Sequence, residues 1–508
     1  MAGTSDQKRL GRRKAAGIVL LVFLTVTPCL GGEPLALLPS STNGNGSDYP
    51  DSINGIRERA EAQTGKKWIE TPDGVLIQRK EIEWARYLKS TLNLPDWVDL
   101  GIENRTRFES VDHPWRSTAK IGGGRTDSQV ALRSRVRFGL GGNNPVRFLF
   151  EGQDSRGYGD ETGNFVNNTT VNEWDILQLF GSLNADNVLG SGLRTDLHFG
   201  RMTLDFGSRR YIARNDFRNT TNAFDGVHWQ IGKEKLWRIR TFLVEPVIRD
   251  EVQLDEQNHK FLFWGAYLEN HQIPWMKINV FYYGLNDQTP QNKNLHRTYG
   301  TYGLRLFKSP AMREFDYEFE GAVQVGRLGR VDHFAYNPNA QAGYTFDLPW
   351  TPRFVVQYAY ASGTRTPGGS QNETFDPLFG ARRFDLMPTG IFGPFLRSNI
   401  SSPGWRVIVH PAKGWRVQLK QRFWYLAQGS AVNGGILLQD STGGSGNYLG
   451  HDLEFRVQWV ISENLDLDAG YDHWFKGSYF DRLPGSADLP QGGNKDTDYF
   501  YLSMRIRL

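Results

Sequence analysis

Val130-Ala-Leu-Arg-Ser-Arg-Val-Arg-Phe138 alternates apolar and basic side chains with a period of two. That period belongs to a strand with one oily face and one wet face. The pattern recurs in Val98-Asp-Leu-Gly-Ile-Glu103 and in Phe500-Tyr-Leu-Ser-Met-Arg-Ile-Arg-Leu508, the end of the chain. Many such strands in one chain, each with charge on its wet face, set the oily faces against lipid and the wet faces toward a lumen. An oily face against lipid and a wet face toward a lumen is the arrangement of a transmembrane β-barrel.

Eighteen strand cores are expected along the chain, near 98–108, 129–140, 145–153, 172–182, 193–206, 222–231, 236–246, 260–269, 276–285, 296–307, 314–326, 333–346, 352–362, 398–410, 414–427, 448–461, 464–475 and 497–508. Tight turns such as Gly141-Gly-Asn-Asn-Pro145, Lys308-Ser-Pro-Ala-Met312 and Asp347-Leu-Pro-Trp-Thr351 follow even-numbered strands. The long connections 109–128, 154–171, 247–259, 363–397, 428–447 and 476–496 follow odd-numbered ones. Outer-membrane barrels have short periplasmic turns, long external loops and an even strand count. Trp237, Trp275, Trp350, Trp405, Trp415 and Trp459 fall at strand ends, as interfacial girdles do. A soluble sandwich or propeller explains neither feature. The fold expected is therefore all-β: an 18-stranded antiparallel transmembrane β-barrel over 96–508, preceded by a short periplasmic helical segment.

The N-terminus supports this. Residues 1–31 read as a signal peptide, with Lys8, Arg9, Arg12, Arg13 and Lys14 ahead of an apolar stretch from Ala15 to Val26. Residues 32–95 read as a periplasmic linker and a short helix, in which Ile82, Ala85 and Leu88 share a face and Pro95 ends the run. That helix rests on the rim or acts as a plug. The formal charge of +4 resides in residues 1–31, so the remainder is about neutral and lacks the basic field of a nucleic-acid binder. Mean hydropathy is −0.51, which is uninformative when only alternate residues meet lipid.

Parity assigns the lumen. Val98, Leu100, Ile102, Val130, Leu132, Val136 and Phe138 point out. Arg105, Arg107, Arg133, Arg135 and Arg137 then point in, with Arg240, Arg297, Arg305, Arg353, Arg422, Arg456 and Arg505. Glu320 and Glu454 also point in. The opposite register would set arginines in lipid at ~2–4 kcal/mol each near the midplane. The first, second and last strands meet at the closing seam, so one wall should be an arginine ladder. Guanidinium ladders select anions; paired with acids they also brace a wide barrel. The ten His are scattered, and the chain has no nucleophile elbow, phosphate loop or zinc-protease pattern. It therefore reads as a channel and not an enzyme, with no cofactor and no metal.

Phe199-Gly-Arg-Met-Thr-Leu-Asp-Phe-Gly207, Asn222-Ala-Phe-Asp-Gly-Val227, Ala361-Ser-Gly363 with Thr374-Phe-Asp-Pro-Leu-Phe379, and Gly450-His-Asp-Leu-Glu454 occur in this order. Together they resemble the alginate export family of outer-membrane porins over about 97–508. Thr364 and Gly380-Ala-Arg-Arg-Phe384 depart from that family's pattern. The resemblance implies an eighteen-stranded barrel whose basic lumen passes a polyanionic polysaccharide, and it adds Arg201 to the expected pathway. The function expected is a passive outer-membrane channel for anionic saccharides, a polyuronate such as alginate. The alternative is a general or nutrient-uptake porin for other small anions or sugars. Implied partners are outer-membrane lipid, an anionic polysaccharide or oligosaccharide, the outer-membrane assembly machinery and periplasmic polysaccharide-handling proteins. No nucleic acid is implied, and the chain reads as a monomer.

Overall fold

The computed structural model describes residues 91–114, 126–142, 144–159, 167–233, 236–289, 296–432, 438–462, 464–483 and 495–508, with the strand pair Trp68–Glu70 and Leu76–Gln78. The expected signal peptide and the helix around Ile82–Leu88 lie outside the described residues. The strand pair is antiparallel and falls inside the stretch read as linker and helix. Pro72-Asp-Gly74, a turn signal, stands between its two short apolar runs.

Among the described residues, eighteen long strands close one antiparallel barrel. In chain order they are β1 (Val98–Asp112), β2 (Asp127–Leu140), β3 (Val146–Tyr158), β4 (Asn172–Ala185), β5 (Arg194–Met202), β6 (Phe224–Lys233), β7 (Trp237–Ile248), β8 (Phe261–Asn270) and β9 (Lys277–Asp287). They continue with β10 (Arg297–Lys308), β11 (Phe315–Leu328), β12 (Val331–Thr345), β13 (Arg353–Ala361), β14 (Ile400–Val409), β15 (Trp415–Tyr425), β16 (Tyr448–Val460), β17 (Leu465–Lys476) and β18 (Thr497–Arg507). Each overlaps one expected core. β18 pairs with β1 from Asp498↔Asp112 to Arg507↔Glu103, which removes every free edge from the ring.

The outer face carries what lipid requires. Phe108, Val136, Phe199, Leu243, Val280, Phe319, Val356, Phe455, Phe500 and Leu502 are exposed and share the outward parity. In water such a surface would be a large uncovered apolar patch; in a bilayer it is the lipid contact. Trp415 and Trp459 stack at 4.7 Å where β15 and β16 approach a short turn, the interfacial level for amphipathic rings.

The inner face is two-sided. Strands β14–β18 and β1–β3 present buried Arg, Lys, Asp and Glu. Strands β7–β9 present Phe242, Val244, Phe263, Tyr267, Phe281 and Tyr283, all nearly inaccessible. Rings that stay dry inside a barrel need something packed on them. Two connections supply it, residues 203–223 after β5 and residues 362–399 after β13. Both fold into the lumen. The 363–397 connection was expected as an external loop, and 203–223 was not among the long connections expected. Phe206 of the first segment meets Phe242 at 5.3 Å and Tyr267 at 5.7 Å. Phe379 of the second meets Phe224 and Phe263 at 5.0 Å each. The segments join through Ile212 and Phe379, with Ala213 N–H donating to the Phe379 carbonyl and Phe379 N–H to that of Tyr211.

Candidate functional site: an arginine seam engaged by inward segments

The register builds the seam residue by residue. Arg105 on β1 stands directly opposite Arg505 of β18 on one side and Arg133 of β2 on the other. The next inward row is Arg507, Glu103 and Arg135. Like charges directly opposite each other destabilise a sheet, so the row Arg505–Arg105–Arg133 needs counter-charge. Glu103 supplies part of it, accepting from Arg133 at 2.9 Å.

Asp216, on the 203–223 segment, supplies the rest. Its carboxylate takes Arg133 at 2.7 Å, Arg135 at 2.8 Å and Arg505 at 3.1 Å. Its backbone carbonyl accepts from Arg105 and Arg133. Further carbonyls continue the pattern: Phe217 accepts from Arg107, and Arg218 from Arg105. The Arg107 guanidinium also lies 4.5 Å from the Phe217 ring centroid. Burial alone would raise the Asp216 carboxyl, but Arg133, Arg505 and Arg135 outweigh it and hold it well below the usual carboxylate range. Arg105, Arg107, Arg133 and Arg135 are at most 2% exposed. They are a wall with a chain laid along it.

The same segment crosses to the far wall. Arg210 pairs with Glu318 and Glu320 of β11 and, at 3.0 Å, with Asp385 of the second segment. Arg240 donates to the Asp205 carbonyl and lies 3.8 Å from the Phe206 ring. The 362–399 segment is held in the same way. Arg383 pairs with Glu454 at 2.6 Å and donates to the Tyr501 hydroxyl at 2.7 Å. Arg422 donates to the Asp385 carbonyl, and Asp376 takes Arg297 at 2.6 Å. Phe395 stacks on Trp424 at 4.4 Å.

The other expected lumen residues distribute as follows. Arg353 forks onto Asp316, and Arg456 forks onto Asp468. Arg305 reaches Glu318 at 3.3 Å. Arg137 keeps the inward parity but sits near the short-turn end, 34% exposed, beside Asp99 at 3.5 Å. Arg201 does not face the lumen. It stands opposite Leu179 and Asp225 and shares the parity of lipid-facing Phe199. The period that turns Phe199 outward turns Arg201 outward too. At the external end of β5 its charge is neutralised by a two-point fork onto Asp225. Two of the motifs quoted above, Gly200-Arg201 and Phe224-Asp225, are thus register neighbours joined by one ion pair. Among the described residues no group of three or more His, Cys, Asp or Glu is placed to hold a metal ion.

A fixed barrel, long connections and a guanidinium seam are the parts of a membrane channel, and the family comparison decides which kind. The model of the family described as alginate export matches residues 96–489. The chain belongs to the alginate export family. Its localisation is accordingly the bacterial outer membrane, and its family and fold are those of a porin-like channel. No curated protein sequence matches it. Solved structures with the same fold include Pseudomonas aeruginosa OccK3 (OpdO), 13% identical with a TM-score of 0.53, covering 83% of this chain and 98% of that one. P. aeruginosa OccK8 (OprE) is 10% identical with a TM-score of 0.54, covering 81% and 98%. P. aeruginosa OpdQ is 14% identical with a TM-score of 0.53, covering 81% and 97%.

Sequence reasoning on this alginate export family member missed Asp216, Arg210, Arg383 and Asp385. All four sit on connections, where no period exists to assign a direction. One signal was available. Asp205-Phe-Gly-Ser-Arg-Arg-Tyr-Ile-Ala213 and Leu378-Phe-Gly-Ala-Arg-Arg-Phe384 each carry three large apolar side chains that an external loop would leave in water.

Proposed function

We propose that this barrel is a passive outer-membrane channel for anionic saccharides, with polyuronates such as alginate as the substrate class. The observation that carries this reading is the unbroken row Arg505, Arg105 and Arg133 across the closing seam. A sheet does not keep three guanidinium groups in line for stability; a row of fixed forks matches successive carboxylates on a chain. Asp216 and the carbonyls of 216–218 occupy those forks in a carboxylate-like way. A travelling uronate competes for the same donors. The lumen arginines act as a set and supply no chemistry beyond attraction and release, and a passive pore has no inherent direction.

The second reading, a porin for smaller anions or sugars, is favoured by one specific observation: the 203–223 segment already lies along the seam and narrows the lumen beside it. Planar-bilayer recording separates the two. At low salt we expect anion-over-cation permeation that fades as salt rises and is blocked by oligouronates. Replacing Arg133, Arg135 and Arg137 with Gln should move the reversal potential toward cations while the barrel still folds. An unchanged reversal potential would show that these arginines only brace the wall. Anion selectivity without oligouronate block would leave the small-solute porin.

A further inference from the structure

Almost every lumen guanidinium described above ends on a carboxylate or on a carbonyl of an inward segment. Two do not follow that rule. Arg218, on the first inward segment, donates to the Asn222 side-chain oxygen at 2.8 Å, and Arg249, just past the external end of β7, donates to that same oxygen at 2.7 Å. Two full positive charges therefore share one neutral acceptor, their donor nitrogens no farther apart than the sum of those contacts. Among the described residues neither arginine has a carboxylate within ion-pair distance; Asp255 acts on Arg249 from beyond it. Nε of Arg218 and Nε of Arg249 are both buried without a hydrogen-bond partner. A third cation, Arg382 of the second inward segment, acts on Arg218 and is tethered by its own donation to the Gly393 and Phe395 carbonyls at 2.9 Å each.

The cluster is built. Asn222 is fixed from behind, its amide near the Ala213 and Phe379 carbonyls at 3.4 Å each. The Arg218 backbone is held by Arg105 and Arg133 of the seam. All three arginines keep part of their surface accessible. They stand on connections that leave the external ends of β5, β7 and β13, on the side where long loops lie. Arg218 and Arg249, which share one neutral acceptor, repel each other. One bound oxyanion offsets that repulsion.

We propose that Arg218, Arg249 and Arg382 form an oxyanion-binding site at the external mouth, which takes the carboxylate of a uronic acid and passes it to the seam arginines on which Arg218 rests. The uronate assignment rests on the channel reading above; the oxyanion site stands on its own geometry. The test is calorimetric titration of the detergent-folded full chain with glucuronate, with glucose as the neutral control and inorganic sulfate as the competing oxyanion. Glucuronate should bind and glucose should not. Arg249→Gln should weaken glucuronate about tenfold, the loss of one charge-assisted hydrogen bond, and Arg249→Lys should weaken it less. Heat-modifiable migration and strand circular dichroism establish that each variant is folded; Arg249 lies past the strand end, and Arg382→Gln provides a second variant should the first not fold. Glucuronate affinity unchanged in folded Arg249→Gln and Arg382→Gln would overturn the site. Sulfate binding without glucuronate binding would overturn the uronate assignment. Reversal potentials report separately on the channel reading: cation selectivity in the unaltered chain would remove that reading and leave the titration result in place.

Discussion

Asp216 ties the first inward segment to three barrel strands, β1, β2 and β18. It neutralises Arg133, Arg135 and Arg505, and its carbonyl holds Arg105. Removing one partner from a buried ion pair costs about 3–5 kcal/mol where water cannot follow. A barrel lumen admits water once the segment lifts, so Asp216→Asn should destabilise by the lower end of that range or less. The charge consequence is larger. Three guanidinium groups lose one of the two fixed anions they share and keep Glu103, so low-salt conductance and anion selectivity should both rise above those of the unaltered chain. Bilayer recording with thermal unfolding of the same preparation checks it; equal selectivity in both proteins would mean that the seam does not face the permeation path. Arg201, expected on the pathway, shares the outward parity of Phe199, because a period of two turns both side chains to the same face.

At the scale of elements, the two inward segments are held by packing and by charge together. Gly390 has φ +50, and a Cβ there would overlap the Glu109 carboxylate of β1. Gly390→Val should therefore push the 362–399 segment off the wall, with faster hydrogen exchange at Phe392 and Phe395 and a larger single-channel current. Unchanged exchange would show that the segment has room to spare. The external connection 249–260 carries a different constraint. Burial, then the neighbouring Asp175, raises the Asp255 carboxyl to about 7. Asp255 also accepts from Asn172 at 3.0 Å and from Asp250 N–H at 2.9 Å. Arg201 holds its carbonyl, and Arg249 stands nearby. An acid whose folded pKa is raised binds its proton more tightly in the folded state. Its contribution therefore falls as pH rises from about 4, the unfolded value, toward 7, and levels off above. Exchange within 249–260, corrected for the intrinsic rate, should be faster at pH 8 than at pH 5. A pH-independent rate would mean that Asp255 ionises freely.

For the whole molecule, the barrel places long connections on one side of the membrane and short turns on the other. Ser370→Cys, on an exposed part of the 362–399 segment, and Lys413→Cys, in the short turn after β14, report on the two sides. In a Cys29→Ser background, an impermeant maleimide on intact cells should label the first and not the second; the reverse would invert the topology. What the sequence by itself determined was the ring. The eighteen strands, their facing and the arginine seam follow from a period of two. Lipid enforces that period because each misplaced arginine costs several kcal/mol. The contents of the ring were decided only by the tertiary structure. Strands β7–β9 turn Phe242, Phe263, Tyr267, Phe281 and Tyr283 inward with the same alternation that turns charges inward elsewhere. Nothing local says whether such a face meets water or another segment. Residues 203–223 and 362–399 have no period to read, and their place depends on contacts between residues more than a hundred positions apart, such as Arg210 with Glu318 and Arg505 with Asp216. Pairings at that range are chosen by the fit of charge and volume inside the closed barrel, and they exist only after it has closed.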